Sequence, residues 1–293
     1  MLAAALALMA ARAGAQTATG ALLLGAPLPR AASFGGAQTA VFGDEASVFV
    51  NPAGLAPIRR LAIGASAETA PDRSRLGAAA GALRVGRFTL GFGIAGLEPA
   101  GDSIPLETAY HVMGVGAIAY RRGMISLGVN LKGLREYLSD GSAPASTATA
   151  VTGNAGIGIA VFDIAALGFV IENVGGTFHA TAARPSLPRT VRGGFAINFV
   201  DPQGTARMFT ALEWIRPPGG DAYWVLAAET GAVHRGFGVL GRMAVTAGRG
   251  PTDQRDASFG GGLVLKSVRI DYATQGFHSS ERRTHRLGIR FSR

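Results

Sequence analysis

Few residues in this chain could do chemistry, and most of those that could lie in segments where apolar and polar residues alternate. Glu172, Glu213, Glu229 and Asp271 sit among apolar neighbours, and Lys132, Arg192, Arg242, Arg269 and Arg290 occupy segments of the same kind. If such segments cross a bilayer as strands, a lipid-facing charge costs roughly 2–4 kcal/mol for a basic residue at the midplane and less for an acid. These acids and bases are therefore expected to face each other across an interior. Two roles stay open for them: an ion-pair network filling a narrow lumen, or a selectivity lining for a passing solute.

Other chemistries lack their residues. There is no cysteine, which excludes thiolate catalysis, disulfides and Cys-ligated zinc. His111, His179, His234, His278 and His285 are not spaced as metal ligands, and no G-x-S-x-G elbow occurs. Gly91, Gly93 and Gly96 match G-x-G-x-x-G, but they fall inside an alternating segment. Leu97-Glu98-Pro99 cannot start the helix that a dinucleotide site needs. Those glycines suit strand curvature or close contact with a barrel wall. Asp102, Glu107, Asp140, Asp253 and Asp256 fall in loops, where carboxylates are solvated or bind divalent ions bridging lipopolysaccharide. No active site assembles, and neither an enzyme nor a bound cofactor is expected.

The positioning elements follow from composition and period. The chain has 293 residues, 43 of them glycine, only 16% charged residues, and a mean hydropathy of +0.26. Soluble domains carry about a quarter charged residues. No apolar run reaches the length of about 20 residues that a membrane helix needs. A transmembrane barrel reconciles these facts, because every second strand residue faces lipid. In 125–132, Ile125, Leu127, Val129 and Leu131 alternate with Ser126, Gly128, Asn130 and Lys132. Residues 190–199 and 286–291 repeat the pattern, the latter with Leu287, Ile289 and Phe291 opposite Gly288 and Arg290. Turn residues divide the chain from residue 60 onward into about fourteen strands, starting near 60, 76, 88, 110, 125, 148, 165, 189, 207, 222, 239, 257, 268 and 284. Tight joints alternate with longer loops, as on the periplasmic and outer sides of such a barrel. The net charge of +9 comes from scattered single residues rather than a basic helix face, which argues for anionic lipid and lipopolysaccharide as partners and against nucleic acid.

Ahead of the strands, residues 1–15 read as a secretory signal peptide, with an apolar core and Ala13-Gly14-Ala15 as the cleavage site. Residues 16–58 form a periplasmic N-terminal segment and plug, and residues 59–293 the barrel. Within the plug, 43–55 (GDEASVFVNPAGL) predicts a short helix over 45–50, capped by Asp44 or Ser47 and ended by Pro52.

These residues together resemble the outer-membrane FadL-like superfamily, in particular its PorV/PorQ branch. The resemblance rests on 43–55 and on passages in matching order: LGVNLKGLRE at 127–136, GFVIENVGG at 168–176, the strand at 187–199, the glycine-rich hairpin at 258–273 and the closing segment at 284–291. It implies a fourteen-stranded antiparallel barrel with an N-terminal plug, in the outer membrane of a Gram-negative-type bacterium and put there by the barrel-assembly machinery. In transport members, an Asn-Pro-Ala segment lies by a lateral opening for hydrophobic molecules. On that pattern Asn51, Pro52, Ala53 and Gly54 would form the gate, and the strand with Gly91, Gly93 and Gly96 the opening wall. In the PorV branch the barrel serves type IX secretion and receives exported proteins by their C-terminal domains. A purely structural barrel is the third expectation. This chain departs from the pattern in its short loops and in ending Phe291-Ser292-Arg293.

Overall fold

The computed structural model describes residues 22–23, 26–99, 108–139, 146–162, 164–176, 179, 187–201, 204–218, 220–248, 257–277 and 280–293. The signal-peptide assignment, the loop carboxylates Asp102, Glu107, Asp140, Asp253 and Asp256, and His278 lie outside the described residues.

Fourteen strands follow one another: β1 (Leu61–Thr69), β2 (Arg75–Val85), β3 (Phe88–Glu98), β4 (Thr108–Arg122), β5 (Ile125–Ser139), β6 (Ser146–Val161), β7 (Ala165–Val174), β8 (Thr190–Val200), β9 (Ala206–Arg216), β10 (Tyr223–His234), β11 (Phe237–Ala247), β12 (Ala257–Leu265), β13 (Val268–Phe277) and β14 (Ser280–Ser292). Each pairs antiparallel with its neighbours in sequence, and β1 pairs with β14 from Ala62↔Ser292 to Thr69↔His285. The barrel is therefore closed and leaves no edge strand to pair with another chain.

Period-two alternation puts Leu131, Val239 and Leu287 on the outside at 63%, 65% and 59% exposure, within a belt of Leu, Ile, Val and Phe around the wall. Such a belt would aggregate in water and is stable against lipid tails. Every strand has nine residues or more, enough for a tilted strand to cross a bilayer. One end carries tight hairpins. The β10–β11 turn has Arg235 at φ 50 and Gly236 at φ 83, the paired left-handed residues of a type I′ turn. The other end carries the longer connections, so the tight-turn end is periplasmic. Strand starts differ from the sequence reading by at most four residues, the largest gap being Ser280 against 284.

The N-terminal segment fills the barrel. It contains helix α1 (Pro29–Ser33) and two 3-10 turns, Glu45–Val48 and Pro52–Leu55. The helix expected over 45–50 is thus a shorter 3-10 turn. Asp44 caps it, accepting from Ala46 N–H at 3.0 Å. Pro52 opens the next turn, with Asn51 accepting from Ala53 N–H at 3.2 Å. A proline suits a first helical position, where its missing N–H would have no partner anyway.

Candidate functional site: the plug and the inner wall

The plug meets the wall where the wall has no side chains. A methyl added at Gly93 would lie 2.7 Å from the Phe49 ring, one at Gly91 2.5 Å from Leu55 Cδ1, and one at Gly64 2.6 Å from Glu45 Oε1. Gly128 faces Pro52 and Ala53, Gly156 faces Asn51, and Gly158 faces Phe42. Gly168 and Gly194 take Thr39 and Ala40, Gly260 takes Ser33, and Gly288 takes Pro29. Inward positions on eight strands are thus left without a side chain where plug backbone or plug side chains lie directly on the wall.

This placement separates the two candidate features. Asn51, Pro52 and Ala53 lie against β5 and β6, while Gly91 and Gly93 of β3 meet Leu55, Val48 and Phe49. Gly96 approaches only the His111 carbonyl, at 3.9 Å, and Gly54 packs on Ser47. The β3 ladder runs unbroken from Arg75↔Glu98 to Val85↔Phe88 on one side and from Phe88↔Tyr120 to Leu97↔His111 on the other. The expected opening at β3 is thus a continuous wall in this structure. Ladder irregularities fall elsewhere, at Gly153/Ala155 between β6 and β7 and at Gly276/Phe277 between β13 and β14.

Beside the β6–β7 break, Asn130 and Asn154 stitch plug to wall, and Asn173 braces them from behind. Asn130 donates to the Val48 carbonyl at 2.7 Å and accepts from Asn154 N–H at 2.7 Å. Asn154 donates to the carbonyls of Val50 at 2.7 Å and Phe49 at 3.2 Å, and accepts from Asn173 N–H at 3.0 Å. Asn173 has φ 57, a left-handed conformation that asparagine tolerates, and accepts from Lys132 Nζ at 3.2 Å. Within the plug, Asn51 Nδ2 donates to the Thr39 carbonyl at 2.7 Å. The amides of Asn51, Asn130 and Asn154 thus supply partners to plug carbonyls that a buried, irregular segment would otherwise leave unmet.

The nine lumen charges named from the sequence all lie inside the barrel, in two groups. In the first, Arg192 Nε contacts Glu172 at 2.6 Å and Arg192 Nη1 contacts Glu213 at 3.1 Å, and Glu213 also accepts from Thr39 N–H and Oγ1 at 2.8 Å. Lys132 lies beside this group, fully buried. In the second, Arg242 bridges Glu229 and Asp271, and Arg269 pairs with Asp271 at 2.7 Å. Arg30 of the plug joins the second group, contacting Asp44 at 2.8 Å and Glu229 at 3.3 Å, and its guanidinium covers Phe34, which stacks on Phe209 at 5.7 Å. Arg290 reaches Glu45 at 2.8 Å and the Gly43 carbonyl at 2.9 Å.

Sequence reasoning missed Arg30, Glu45, Glu68 and Arg286. The last two form an inward pair directly across the β1–β14 closure, and Arg286 shares the parity of Gly288 and Arg290, which was the available signal. His285 faces outward, because Thr284 takes the inward position, and it bonds to Tyr272 Oη at 2.6 Å.

Within the plug, burial works against the Asp44 charge, yet Arg290 and Arg30 hold its carboxyl below the usual carboxylate range. Burial pushes the Glu45 carboxyl up to about 7, and the Asp44 charge beside it acts in the same direction. Near the tight-turn end, a cavity of about 560 Å3 opens between Phe42, Phe209, Glu229, Arg269 and Arg290.

Part of the inner surface is apolar. Ala78, Ala80 and Ala82 of β2, Ala95 of β3, Met113, Val115 and Ala119 of β4, Leu134 of β5 and Ala150 of β6 form one buried cluster with Val48, Phe49 and Leu55. An apolar lining thus covers much of β2–β6, which also hold the inward His111–Glu136 pair and Lys132, and a second apolar cluster of Ala196, Ala211, Ile215, Val225, Ala227 and Ala244 lies among the ionic groups of β8–β11.

An apolar belt outside, a closed antiparallel wall and an internal plug define an outer-membrane β-barrel of the Gram-negative type. No family model and no curated relative matches the sequence. Solved structures do. The toluene transporter TbuX of Ralstonia pickettii aligns with a TM-score of 0.61 at 13% identity, over 92% of this chain and 99% of its own. The toluene transporter TodX of Pseudomonas putida aligns at 0.58 and 10%, over 89% and 95%. A FadL homologue of Pseudomonas aeruginosa aligns at 0.57 and 12%, over 90% and 98%. The barrel thus has the fold of FadL-type outer-membrane proteins, and two of these neighbours are toluene transporters.

Proposed function

We propose that this barrel passes small hydrophobic molecules across the outer membrane, aromatic hydrocarbons among them. The observation that carries the reading is the alanine-rich apolar sector of β2–β6 facing the plug. A water-filled porin lumen is polar, whereas this sector would receive an apolar solute without a desolvation cost once the plug residues packed on it move aside. That TbuX and TodX carry toluene supports the same class of substrate. In this reading Asn51, Pro52 and Ala53 form the moving part, and the side route lies by β5–β7, where they touch the wall and the ladder breaks, not at β3 with Gly91, Gly93 and Gly96. The charges around Arg192 and Arg242 serve as anchors for the plug.

Toluene uptake by cells expressing the chain tests this. Asn51→Ala should change uptake, and Met113→Glu, which puts a charge into the apolar sector, should reduce it while the barrel stays heat-modifiable on gels. Unchanged uptake in both variants would refute the passage. The PorV/PorQ resemblance of 127–136 and 168–176 supports a second reading, a secretion-associated barrel. Loss of surface-exposed proteins with shared C-terminal domains in a deletion strain, with toluene uptake intact, would select it. Unchanged uptake and secretion in that strain would leave a structural barrel.

A further inference from the structure

The periplasmic end carries a cluster of arginines outside both ion-pair groups of the lumen. Arg59 and Arg60 precede β1, Arg84 and Arg87 flank the β2–β3 hairpin, and Arg121 and Arg122 end β4. The backbone brings them together: Arg84 N–H donates to the Arg60 carbonyl at 2.9 Å, and Phe88 and Tyr120, paired across β3 and β4, hold their rings 5.4 Å apart. No acid occurs in 57–67, 83–97 or 112–135, and none of the six arginines forms an ion pair among the described residues. Arg84 and Arg121 tie their own turns, donating from Nε to the carbonyls of Gly86 at 3.1 Å and Gly123 at 3.0 Å, and Arg84 Nη1 also donates to the Ala56 carbonyl at 3.0 Å. The other four are exposed.

We propose that this arginine face binds the phosphate headgroups of anionic phospholipid in the inner leaflet of the outer membrane. Its level is set by its neighbours: Leu83, Val85, Phe88 and Met124 point outward within the same turns and belong to the apolar belt. An arginine one residue away from such a side chain extends its stem along the belt and its guanidinium into the headgroup layer. All six cations are arginine, whose planar fork matches phosphate oxygens in pairs. An acidic protein could not cover the patch without also covering Val85 and Phe88, which already face lipid. The sequence reading had assigned the basic excess to lipopolysaccharide as well as lipid. This patch is at the opposite end from that leaflet.

The test is native mass spectrometry of the full chain released from detergent with phosphatidylglycerol or phosphatidylethanolamine. The variant carries Arg59→Gln, Arg60→Gln, Arg87→Gln and Arg122→Gln, sparing the two arginines that hold the turns. Wild type should retain phosphatidylglycerol preferentially, and the preference should fall about fivefold per arginine removed. Arg73→Gln with Arg75→Gln, at the other end, should leave it unchanged and shows that charge loss alone is not the cause. The proposal is overturned if wild type shows no preference, if the quadruple variant keeps it, or if millimolar inorganic phosphate alone displaces the lipid, which would make it a free-phosphate site. It is equally overturned if the face captures an acidic protein from periplasmic extract but no lipid.

Discussion

Gly156→Ala tests whether the bare positions in the wall hold the plug. The new methyl would fall inside the van der Waals radius of Asn51 Oδ1, so Asn51 must move. Overpacking of this kind costs about 1–3 kcal/mol. Moving Asn51 also removes the bonds to Ala53 N–H and the Thr39 carbonyl, and each buried group left unpaired adds about 1 kcal/mol or more. Together these should weaken plug docking by about 3–5 kcal/mol, or roughly 140- to 3,700-fold in its opening equilibrium. The chain has no cysteine, so Ser47→Cys gives a clean, nearly isosteric reporter at a fully buried plug position. Its labelling rate by a maleimide, under conditions where reclosing outruns reaction, reports the open fraction. Gly116→Ala is the control, because a methyl there meets nothing within 4 Å. If Gly156→Ala labels no faster than the Ser47→Cys parent while the barrel remains folded, close packing at the bare positions does not hold the plug.

Four further outcomes follow from the same geometry. Asn154→Leu should also raise labelling at Ser47→Cys, since it leaves the Phe49 and Val50 carbonyls unmet. Arg192→Met strands Glu172 and Glu213 without their cation and should lower stability to denaturant by about 3–5 kcal/mol, read by urea titration of tryptophan fluorescence. Leu90→Arg on the outer face of β3 should cost roughly 2–4 kcal/mol of folding into bilayers and almost nothing in detergent lacking a defined thickness. The fourth is a pH effect. Glu45 is raised from 4.5 to about 7 when docked, so the docked plug holds a proton that the released plug loses between those values. Docking is therefore strongest toward pH 4.5, weakens by up to tenfold per pH unit as pH rises to 7, and is flat above it. Labelling corrected for thiol ionisation measures this, and Glu45→Gln should abolish the slope. Asp44 acts in the opposite sense, but only below the usual carboxylate range.

The wall was legible because its signal is local: Ile125, Leu127, Val129 and Leu131 announce an outer face by parity alone. The inner face was less so. Glycine at 91, 93, 128 or 156 reads as strand curvature or wall contact, and nothing in the sequence says that Phe49 faces one and Asn51 another. That information is in three-dimensional pairing between segments about 40 to 250 residues apart. The apolar sector escaped for a related reason. Ala78, Ala80 and Ala82 lack the contrast of an alternating Val–Lys strand, so small inward residues look like a weak strand rather than a lined compartment. Parity did carry the charges Arg192, Glu213, Arg242 and Asp271 inward, but which acid meets which base depends on register. Arg30, from the plug, had no period to reveal it.

Closure of the barrel has a consequence for how the chain reaches its final shear. Pro29 lies against Gly288, so one of the first described segments touches the last strand. A one-residue slip of β14 along β1 would replace Gly288 at that spot with Leu287 or Ile289 and turn Arg286 away from Glu68. The N-terminal segment thus acts as a mandrel: the last hydrogen-bonded seam can settle only in the register whose inner contour fits what is already inside. A barrel emptied of this segment should close in more than one register, and folding yield, rather than stability once folded, is where its absence would first be felt.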